Sequence, residues 1–367
     1  MKEEFLDRKL HERSAAGALR ELRIAGIQAD FYSNDYLGIV KNGLLETCLP
    51  DKHLAHGSTG SRLLAGNYPL IEETEKEIAD FHEAEAALIF NSGYDANFGL
   101  LACVAGKGDL ILYDKLSHAS LRDGIRQSFA DSYAFAHNDP ADLEKKLKNK
   151  KGNCFVVTES VFSMDGDMAP LKDMVALCRQ FNAHLIVDEA HATGFIGEKG
   201  EGLVQDLKFQ DECFARIHTF GKALGCHGAA VLGSQSLRNY LINFCRPIIY
   251  STAMPPVSVA AIQTSYKIFP ELKKERENIR HLISLFNHQG FKKSMTPIQC
   301  FLVPGNDNVK RAAKKLLDNN LDARPILYPT VPLGEERLRI TLHSYNSVEE
   351  VEKLISILTS EQLNCES

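Results

Sequence analysis

Seven short apolar segments, each typical of a buried strand, recur through the middle of this 367-residue chain and restrict its possible folds. Stretches compatible with helices lie between most of them. Nearly continuous apolar strands that alternate with helices are typical of a sheet covered on both faces. The pattern therefore predicts an α/β fold built on a mainly parallel sheet. The segments are Ala87–Phe90, Leu110–Tyr113, Tyr133–Ala136, Cys154–Thr158, Leu185–Val187, Arg216–Thr219 and Ala229–Leu232.

The sequence before these segments predicts an N-terminal helix and a connecting arm. Charged residues alternate with leucine and alanine over Met1–Arg23, so that Leu6, Leu10 and Leu19 would line one helical face. Phe31–Gly38 predicts a short strand that runs into a turn. Pro69 then begins a helix with glutamates in its first turns, as expected for a proline at the first helical position.

The sequence after Pro255 predicts a smaller α+β domain. Its last helix begins with a serine followed three residues later by a glutamate, which is the pattern of a capping box. We expect an arm at residues 1–50, a large domain at 51–254 and a small domain at 255–367. The predicted elements are a long helix over Tyr266–Phe286, strands at Gln299–Val303 and Arg337–His343, a helix at Val309–Asn319 and the capped helix from Ser347.

Composition restricts the partners and the compartment. A net charge of -6 gives no electrostatic footprint for nucleic acid or for an anionic membrane. No apolar run approaches the ~20 residues of a membrane span, and Met1–Arg13 has no apolar core of a signal peptide. Nine cysteines are scattered without a Cys-x-x-Cys pair, which favours a reducing environment. We therefore expect a cytoplasmic protein.

Polar residues and glycines follow the predicted strands, where ligands collect in parallel sheets. Ser92–Gly93 forms a turn at a helix N-terminus, an arrangement that presents free N–H groups to an anion. His118, Ser163, Asp188 and His191 follow three further strands. A metal site is one alternative for His118, Asp188 and His191, but no third ligand pattern accompanies Asp-x-x-His. A serine nucleophile is another, but Ser163 lacks the Gly-x-Ser-x-Gly elbow.

Lys222 lies in a stretch of small residues directly after Arg216–Thr219. Such a lysine is either a solvated residue of a surface turn or an amine in a dry site, where desolvation favours the neutral nucleophile. A lone His191 is more often a satisfied core residue than a catalytic one. The whole set, with an amine, a carboxylate, two imidazoles and an anion turn at one sheet edge, matches what pyridoxal phosphate requires.

The chain resembles the α-oxoamine synthases, a branch of the fold-type I pyridoxal-phosphate enzymes, over nearly its whole length. Two departures from the family pattern are a shortened segment between Arg23 and Phe31 and a histidine, His227, after Cys226. The resemblance rests on Ser33–Gly38, Gly57–Asn67, Asn91–Asn97, Leu116–Ser120, Ala136–Asp139, Val161–Pro170, Val187–Gly197, Thr219–Gly225 and Tyr250–Pro256.

The resemblance implies a role for each residue around the cofactor ring. Lys222 would form the Schiff base, and Asp188 would pair with the pyridine nitrogen. His191 would hydrogen-bond the ring hydroxyl, with Ser163 close to the same hydroxyl. His118 would stack on the ring face.

The resemblance also implies the phosphate and substrate sites, a homodimer and an activity. Arg339 and Asn34 match residues that hold the amino-acid substrate, and Arg20 matches a second substrate arginine. The implied reaction is a decarboxylative condensation of an amino acid, L-alanine, with a pimeloyl thioester; condensation of glycine or serine with another acyl-CoA and a catalytically silent subunit are the alternatives. The phosphate would be held by Ser92, Gly93, Tyr94 and Thr219 and by Ser251 and Thr252 of the partner subunit.

Overall fold

The structure is a computed structural model that describes residues 3–22, 24, 26, 28–48, 53–150, 152–289 and 291–365. The chain divides into two compact units. The large unit comprises Asp35–Ser163 and Asp167–Arg276, and the small unit comprises Met1–Asn34, Met164–Gly166 and Glu277–Ser367. The predicted domain boundaries stay predictions, and the first of them, at residues 50 and 51, lies outside the described residues.

The helices and strands follow the alternation expected from the sequence. The helices of the described residues are α1 (Glu4–Ala15), α2 (Leu44–Cys48), α3 (Pro69–Phe81), α4 (Gly93–Val104), α5 (Ala119–Gln127), α6 (Pro140–Leu147), α7 (Leu171–Phe181), α8 (Leu203–Asp206), α9 (Gln235–Phe244), α10 (Arg246–Tyr250), α11 (Pro256–Ile268), α12 (Lys273–Asn287), α13 (Asn306–Asp318) and α14 (Val348–Cys365). The strands are β1 (Ala29–Asp30), β2 (Ala86–Phe90), β3 (Leu110–Asp114), β4 (Asp131–Phe135), β5 (Cys154–Glu159), β6 (His184–Asp188), β7 (Cys213–Thr219), β8 (Ala229–Gly233), β9 (Ile298–Leu302), β10 (Leu321–Asp322), β11 (Arg324–Ile326) and β12 (Arg337–Thr341).

A seven-stranded sheet in the order β2-β8-β7-β6-β5-β3-β4 forms the centre of the large unit. The strands from β7 to β4 are parallel, whereas β8 runs antiparallel to both of its neighbours. All seven predicted strands are confirmed, each within three residues of its predicted bounds. The carboxyl ends of β3, β5, β6 and β7 therefore lie along one edge of the sheet.

Both faces of this sheet are buried except along the edge strand β4, which is exposed at all residues but Phe135, and this burial explains the apolar strands. Successive side chains of a strand point to opposite faces. Val157 of β5 accordingly packs in a cluster with Leu100 of α4 and Leu121 of α5. Its neighbour Val156 packs in a second cluster, with helices α6 and α7 and with Leu143 among its members. The predicted α/β class with helices on both faces is confirmed.

A buried ion cluster centred on Glu75 of α3 connects several segments of the large unit. Glu75 is 3% exposed and accepts the backbone N–H of Ile89 at 2.8 Å, on the edge strand β2. Its two carboxylate oxygens also pair with Arg62 and with Arg238 of α9, the latter at 2.8 Å. Glu72 also pairs with both arginines, at 3.0 Å and 2.8 Å, so that two carboxylates balance two cations, and Glu75 in addition satisfies a strand N–H that has no sheet partner.

Replacing Glu75 by glutamine is expected to lower the free energy of unfolding by about 2 kcal/mol, because Arg62 and Arg238 lose one of the two carboxylates that they share and keep only Glu72. Denaturant unfolding of both forms measures the difference. The matched control is Glu73→Gln, on the exposed face of the same helix, which is expected to stay within about 0.5 kcal/mol of the unmodified protein. Equal losses in the two variants would contradict the assignment.

The predicted N-terminal helix over Met1–Arg23 is wrong in its length. Helix α1 ends at Ala15, and Gly17 then adopts a left-handed conformation with φ of 62°. The predicted apolar face does not form, since Leu6, Leu10 and Leu19 are 45%, 54% and 43% exposed. Charged residues are much more frequent in this segment than leucine, which favours an exposed helix. Arg23 lies outside the described residues.

The predicted single helix over Tyr266–Phe286 is also wrong. The chain forms α11 and α12, separated by a 3-10 turn at Phe269–Glu271. Pro270 lies in that turn, and a proline inside a helix removes a backbone hydrogen bond and clashes with the preceding turn. The buried side chain of Arg276 donates to the carbonyl oxygens of Phe269 and Pro270, both at 2.7 Å, and so satisfies two acceptors at the break.

The small unit contains the predicted α+β elements. Strands β11, β12 and β9 form an antiparallel sheet, and β1 pairs with β10 in parallel. The predicted strand at Phe31–Gly38 lies instead at Ala29–Asp30, because Asp30 Oδ1 accepts the N–H groups of Tyr32 and Ser33 and bends the chain. The capping box of α14 is confirmed, with Glu350 N–H donating to Ser347 Oγ at 3.1 Å. Within the described residues, no helix combines the length and the apolar character needed to cross a bilayer.

Candidate active site

Lys222 and His191 meet at the carboxyl ends of β7 and β6. Lys222 Nζ lies 2.7 Å from His191 Nε2, and the other ring nitrogen of His191 lies 2.6 Å from the hydroxyl of Tyr36. His191 is 5% exposed and Tyr36 is fully buried. The lysine amine is therefore in contact with a buried imidazole whose position is fixed from both sides.

A glycine allows the two loops to approach each other. Gly194, in the loop that follows His191, has φ of 88°, a conformation that disfavours other residues. A Cβ at this position would lie 2.5 Å from the Cβ of Ala223, directly after Lys222. The small residues around Lys222, noted in the sequence, thus pack against the His191 loop.

Asp188, the last residue of β6, has both carboxylate oxygens bonded. Oδ1 accepts the backbone N–H of Ala190 at 2.9 Å, and Oδ2 accepts a side-chain N–H of Asn97 at 2.7 Å. Asn97 donates its second hydrogen to Ser120 Oγ at 3.0 Å. Asp188 is 5% exposed, and these donors hold it at the sheet edge.

His118 caps the N-terminus of α5, and its own backbone N–H is bound by a buried acid. Its Nδ1 atom lies 2.7 Å from Ser120 Oγ, and its N–H donates to Glu159 Oε1 at 2.6 Å. Burial lowers the pKa of His118, while the charge of Asp188 raises it and that of Lys222 lowers it further. Burial and the neighbouring charge of Asp188 raise the pKa of Glu159 to about 8. Neutral His118 and a Glu159 that holds a proton near neutral pH are the expected forms.

The predicted anion turn lies at the N-terminus of α4. Ser92 caps this helix, since its hydroxyl accepts the N–H of Asp95 at 3.0 Å. A Cβ on Gly93 would lie only 2.6 Å from Thr219 Oγ1, so any other residue would displace that hydroxyl. Tyr94 is 47% exposed, and its hydroxyl donates to Asp123. Gly93 and Thr219 thus bring a helix N-terminus and a hydroxyl to one place.

Ser251 and Thr252 of the same chain lie beside this turn. The side chain of Asn91, one residue before Ser92, donates to the carbonyl oxygen of Thr252 at 2.8 Å. The contribution of these two residues to a partner's site stays a prediction.

The predicted substrate residues belong to the small unit. Arg339 is 8% exposed and donates to Asn34 Oδ1 at 2.9 Å and to Thr341 Oγ1 at 3.0 Å. Arg20 is exposed and donates to Thr330 Oγ1 at 3.1 Å. The contacts of the described residues thus join Arg339 to Asn34 and place Arg20 in a separate contact.

A second polar cluster supports the segment that leads from β3 to His118. His137 lies 2.9 Å from Asp114 and 2.6 Å from Asp167 through its two ring nitrogens. Asp114 also accepts the backbone N–H of Leu116 at 2.8 Å. Burial acts to lower the pKa of His137, but the two carboxylates outweigh it and raise the pKa to about 9.

His137 is expected to stabilise the fold in a pH-dependent way. Its folded pKa of about 9 exceeds the ordinary unfolded value of about 6.5. The contribution is therefore complete below about pH 6.5 and is lost as the pH rises through about 9. The difference in the free energy of unfolding between the protein and His137→Gln should shrink between pH 6 and pH 10. His281→Gln, on the exposed face of α12, is the control, and a difference that does not change with pH would contradict the assignment.

Four residues of the site were not singled out from the sequence. Tyr36 and Asn97 lie in segments of the family resemblance, but neither received a role. Asn97 follows Gly93 by four residues, one helical turn, which places both on one face of α4 and was a usable signal. Ser120 also lies in such a segment without a role, and the signal was missing for its bond to Asn97 and for the bond of Glu159 to His118, which span 23 and 41 positions of sequence. Within the described residues, no group of three or more His, Cys, Asp or Glu side chains is arranged to hold a metal ion.

The large-unit residues fit pyridoxal phosphate chemically. An amine and an imidazole lie 2.7 Å apart, a carboxylate with two bound donors ends the adjacent strand, and a flat imidazole follows β3. The cradle at Gly93, which a Cβ would fill, suits an anionic group at a helix N-terminus. Ser163 lies in the turn after β5, beside the bridge between Val161 and Met168.

Comparisons with known proteins agree with this chemistry. The family model of aminotransferase class I and II matches residues 27–358. The chain is 38% identical to the 8-amino-7-oxononanoate synthase of Emericella nidulans, over 90% of this chain and 88% of the relative. The solved serine palmitoyltransferase of Sphingomonas wittichii is 28% identical, with a TM-score of 0.88 over 99% of this chain and 98% of that chain. The solved 8-amino-7-oxononanoate synthase of Francisella tularensis is 27% identical, with a TM-score of 0.81 over 93% and 99%.

These matches cover nearly the full length of the chain, and other matching serine palmitoyltransferase structures contain pyridoxal phosphate. The chain is a pyridoxal-phosphate-dependent enzyme of fold-type I that belongs to the aminotransferase class I and II family, in the α-oxoamine synthase branch.

Proposed function

We propose that this enzyme condenses L-alanine with a pimeloyl thioester, the CoA or the carrier-protein form. The products would be 8-amino-7-oxononanoate, carbon dioxide and a free thiol, in biotin biosynthesis. The observation that carries the choice of substrates is the 38% identity, over 90% of this chain, to a protein with that activity in its name. When bound, pyridoxal phosphate supplies an aldehyde that condenses with an amine and a protonated ring that takes up charge from the α-carbon.

Lys222 is proposed to hold the cofactor aldehyde and then to accept the α-proton of the substrate at Nζ. Its contact with His191 Nε2 supports this role, because a buried imidazole held by Tyr36 fixes the amine in one place. The same imidazole is proposed to hydrogen-bond the ring hydroxyl, next to Ser163. One lysine can thus serve as anchor and as base at successive stages.

Asp188 is proposed to keep the pyridine nitrogen protonated, and His118 to cover the ring face. A carboxylate held by two N–H donors does not need to reorganise as charge develops on the ring. Neutral His118 offers a flat surface without adding a positive charge beside that ring.

The phosphate is proposed to lie at the N-terminus of α4, on the N–H groups of Gly93 and Tyr94 and the hydroxyl of Thr219. Ser92 contributes chiefly through its capping bond, which orients the first turn. Ser251 and Thr252 of the partner subunit are proposed to complete the site. Exposed apolar side chains near Ser251 support a dimer. Tyr250, the preceding residue, is 71% exposed, and Leu64, in the loop whose Gly60 carbonyl accepts the N–H of Ala253 at 2.9 Å, is 85% exposed.

Arg339 is proposed to hold the carboxylate of the amino acid with its planar guanidinium, oriented by Asn34. Arg20 is proposed as a second substrate contact, and its exposed position gives it room to change partners. We infer that the enzyme is a cytoplasmic homodimer that acts on small-molecule substrates.

An absorbance titration of the cofactor-loaded enzyme with L-alanine, glycine and L-serine tests the choice of amino acid. We expect saturation at the lowest concentration with L-alanine, followed by thiol release from pimeloyl-CoA. A clear preference for glycine or serine would overturn the proposed substrate and assign the enzyme to another activity of the branch, such as glycine C-acetyltransferase or serine palmitoyltransferase. Size measurement in solution tests the dimer, and full activity of a monomer would contradict the shared site.

A further inference from the structure

A buried amide and a buried hydroxyl connect Asp188 to His118. Asn97 of α4 is 3% exposed and Ser120 of α5 is 1% exposed. The two hydrogens of Asn97 Nδ2 go to Asp188 Oδ2 at 2.7 Å and to Ser120 Oγ at 3.0 Å. The reverse orientation of the amide would place its oxygen against the carboxylate. The acceptor on Asp188 therefore fixes the direction of the first bond.

The hydrogen count then fixes the direction of the remaining bonds. Ser120 Oγ accepts from Asn97, so its own hydrogen is available for His118 Nδ1 at 2.7 Å. The backbone N–H of Ser120 points to the same nitrogen at 3.3 Å. His118 Nδ1 is therefore an acceptor, and the neutral ring carries its hydrogen on Nε2. Burial, which lowers the pKa of His118, favours the same neutral form.

We propose that Asn97 and Ser120 are positioning residues, which act through Asp188 and His118 to fix the carboxylate and the tautomer of the imidazole. The inference rests on the proposed roles of these two residues at the cofactor ring. The Asn97 amide holds the carboxylate directly and the imidazole through Ser120, so the two groups keep a fixed separation. A rotation of either would be opposed by a hydrogen bond to a buried partner, Asn97 for the carboxylate and Ser120 for the imidazole.

The tautomer can be measured without cofactor or substrate. Protein labelled with nitrogen-15 in histidine gives imidazole correlation spectra that distinguish the two tautomers, and His118→Gln identifies the signal. We expect the Nε2–H form in the unmodified protein and in Ser120→Thr, which keeps the hydroxyl. Ser120→Ala should convert the signal to a mixture of tautomers. Ser128→Ala, at the other end of α5, where the hydroxyl donates to Ile125 O, is the matched control.

The second readout is the circular dichroism of bound pyridoxal phosphate, which reports the orientation of its ring. Asn97→Leu should reduce this band by half or more. It should also lower cofactor affinity by about 10–100-fold, the loss that is typical when a residue that orients a ligand-binding side chain is removed. In turnover, kcat should fall more than the KM for the amino acid rises. Ser128→Ala should leave the band, the affinity and kcat unchanged.

These readouts separate the inference from the proposed function. A different amino acid or thioester preference would overturn the proposed function while the tautomer and the dichroism band stay as expected. An Nδ1–H tautomer in the unmodified protein, or an unchanged His118 signal in Ser120→Ala, would overturn the inference. So would an Asn97→Leu variant with normal dichroism and affinity. The far-ultraviolet spectrum and melting temperature of each variant show whether it is folded. If Asn97→Leu is misfolded, the tautomer of His118 in Ser120→Ala, the smaller change, decides whether the inference holds.

Discussion

Turnover is expected to fall by about 10⁴-fold or more when Lys222 is replaced by alanine, because the proposed anchor of the cofactor and the proposed base are lost together. The variant lacks the amine that lies 2.7 Å from His191 Nε2. Lys222→Arg should be nearly as inactive, since a guanidinium stays protonated and cannot accept the α-proton. Thiol release measures turnover, and borohydride reduction followed by mass spectrometry measures covalent attachment.

The control for this experiment is Lys172→Ala, on the exposed side of α7. It should keep normal turnover and give the same reducible attachment as the unmodified enzyme. The Lys222→Ala variant should still bind cofactor, because the proposed phosphate and ring contacts remain. If borohydride reduction still links the cofactor covalently to the protein in that variant, another lysine is the anchor.

The second large effect is expected for Asp188→Asn, which should retain cofactor but lose about 10³-fold in turnover, or ~4 kcal/mol of transition-state stabilisation. Asparagine has nearly the same shape, but its single oxygen can replace only one of the two carboxylate oxygens that accept from Ala190 and Asn97. It lacks the negative charge that would keep the ring nitrogen protonated. The change therefore removes the charge and one of these two hydrogen bonds, while the volume of the side chain stays nearly the same.

Cofactor content and kcat are measured on the same preparation of the Asp188→Asn variant. Asp173→Asn, in the exposed first turn of α7, is the control and should change neither quantity. Near-normal turnover in the Asp188→Asn variant would remove Asp188 from its proposed role. Loss of the cofactor together with the turnover would instead indicate a role in binding.

Local sequence pattern was sufficient for most of the architecture. Six of the seven strands of the large sheet were predictable because they are buried on both faces and are therefore mostly apolar, whereas the edge strand β4 is exposed except at Phe135. The capping box of α14 was predictable because its two partners lie three residues apart. The N-terminal helix was predicted too long and the helix around Pro270 unbroken, because short apolar spacing does not show where a glycine or a proline ends a helix.

The site was predictable to the extent that its residues follow strand ends. Lys222, Asp188, His191 and His118 could be placed at one sheet edge from topology alone, and their catalytic roles stay predictions. The bonds that orient them could not be placed in this way. Tyr36 reaches His191 across 155 positions of sequence and Asn97 reaches Asp188 across 91. No local periodicity encodes such distances.

The sequence by itself therefore determined the alternation of strands and helices, the polar residues that follow the strands and the family to which the chain belongs. The tertiary structure decided which side chains touch, which nitrogen of His118 accepts a hydrogen bond and which carboxylates share a buried site. The physical reason is that apolar burial is repeated locally along every strand. Hydrogen-bond direction and pKa, in contrast, depend on single atoms that only the folded chain brings within about 3 Å of each other.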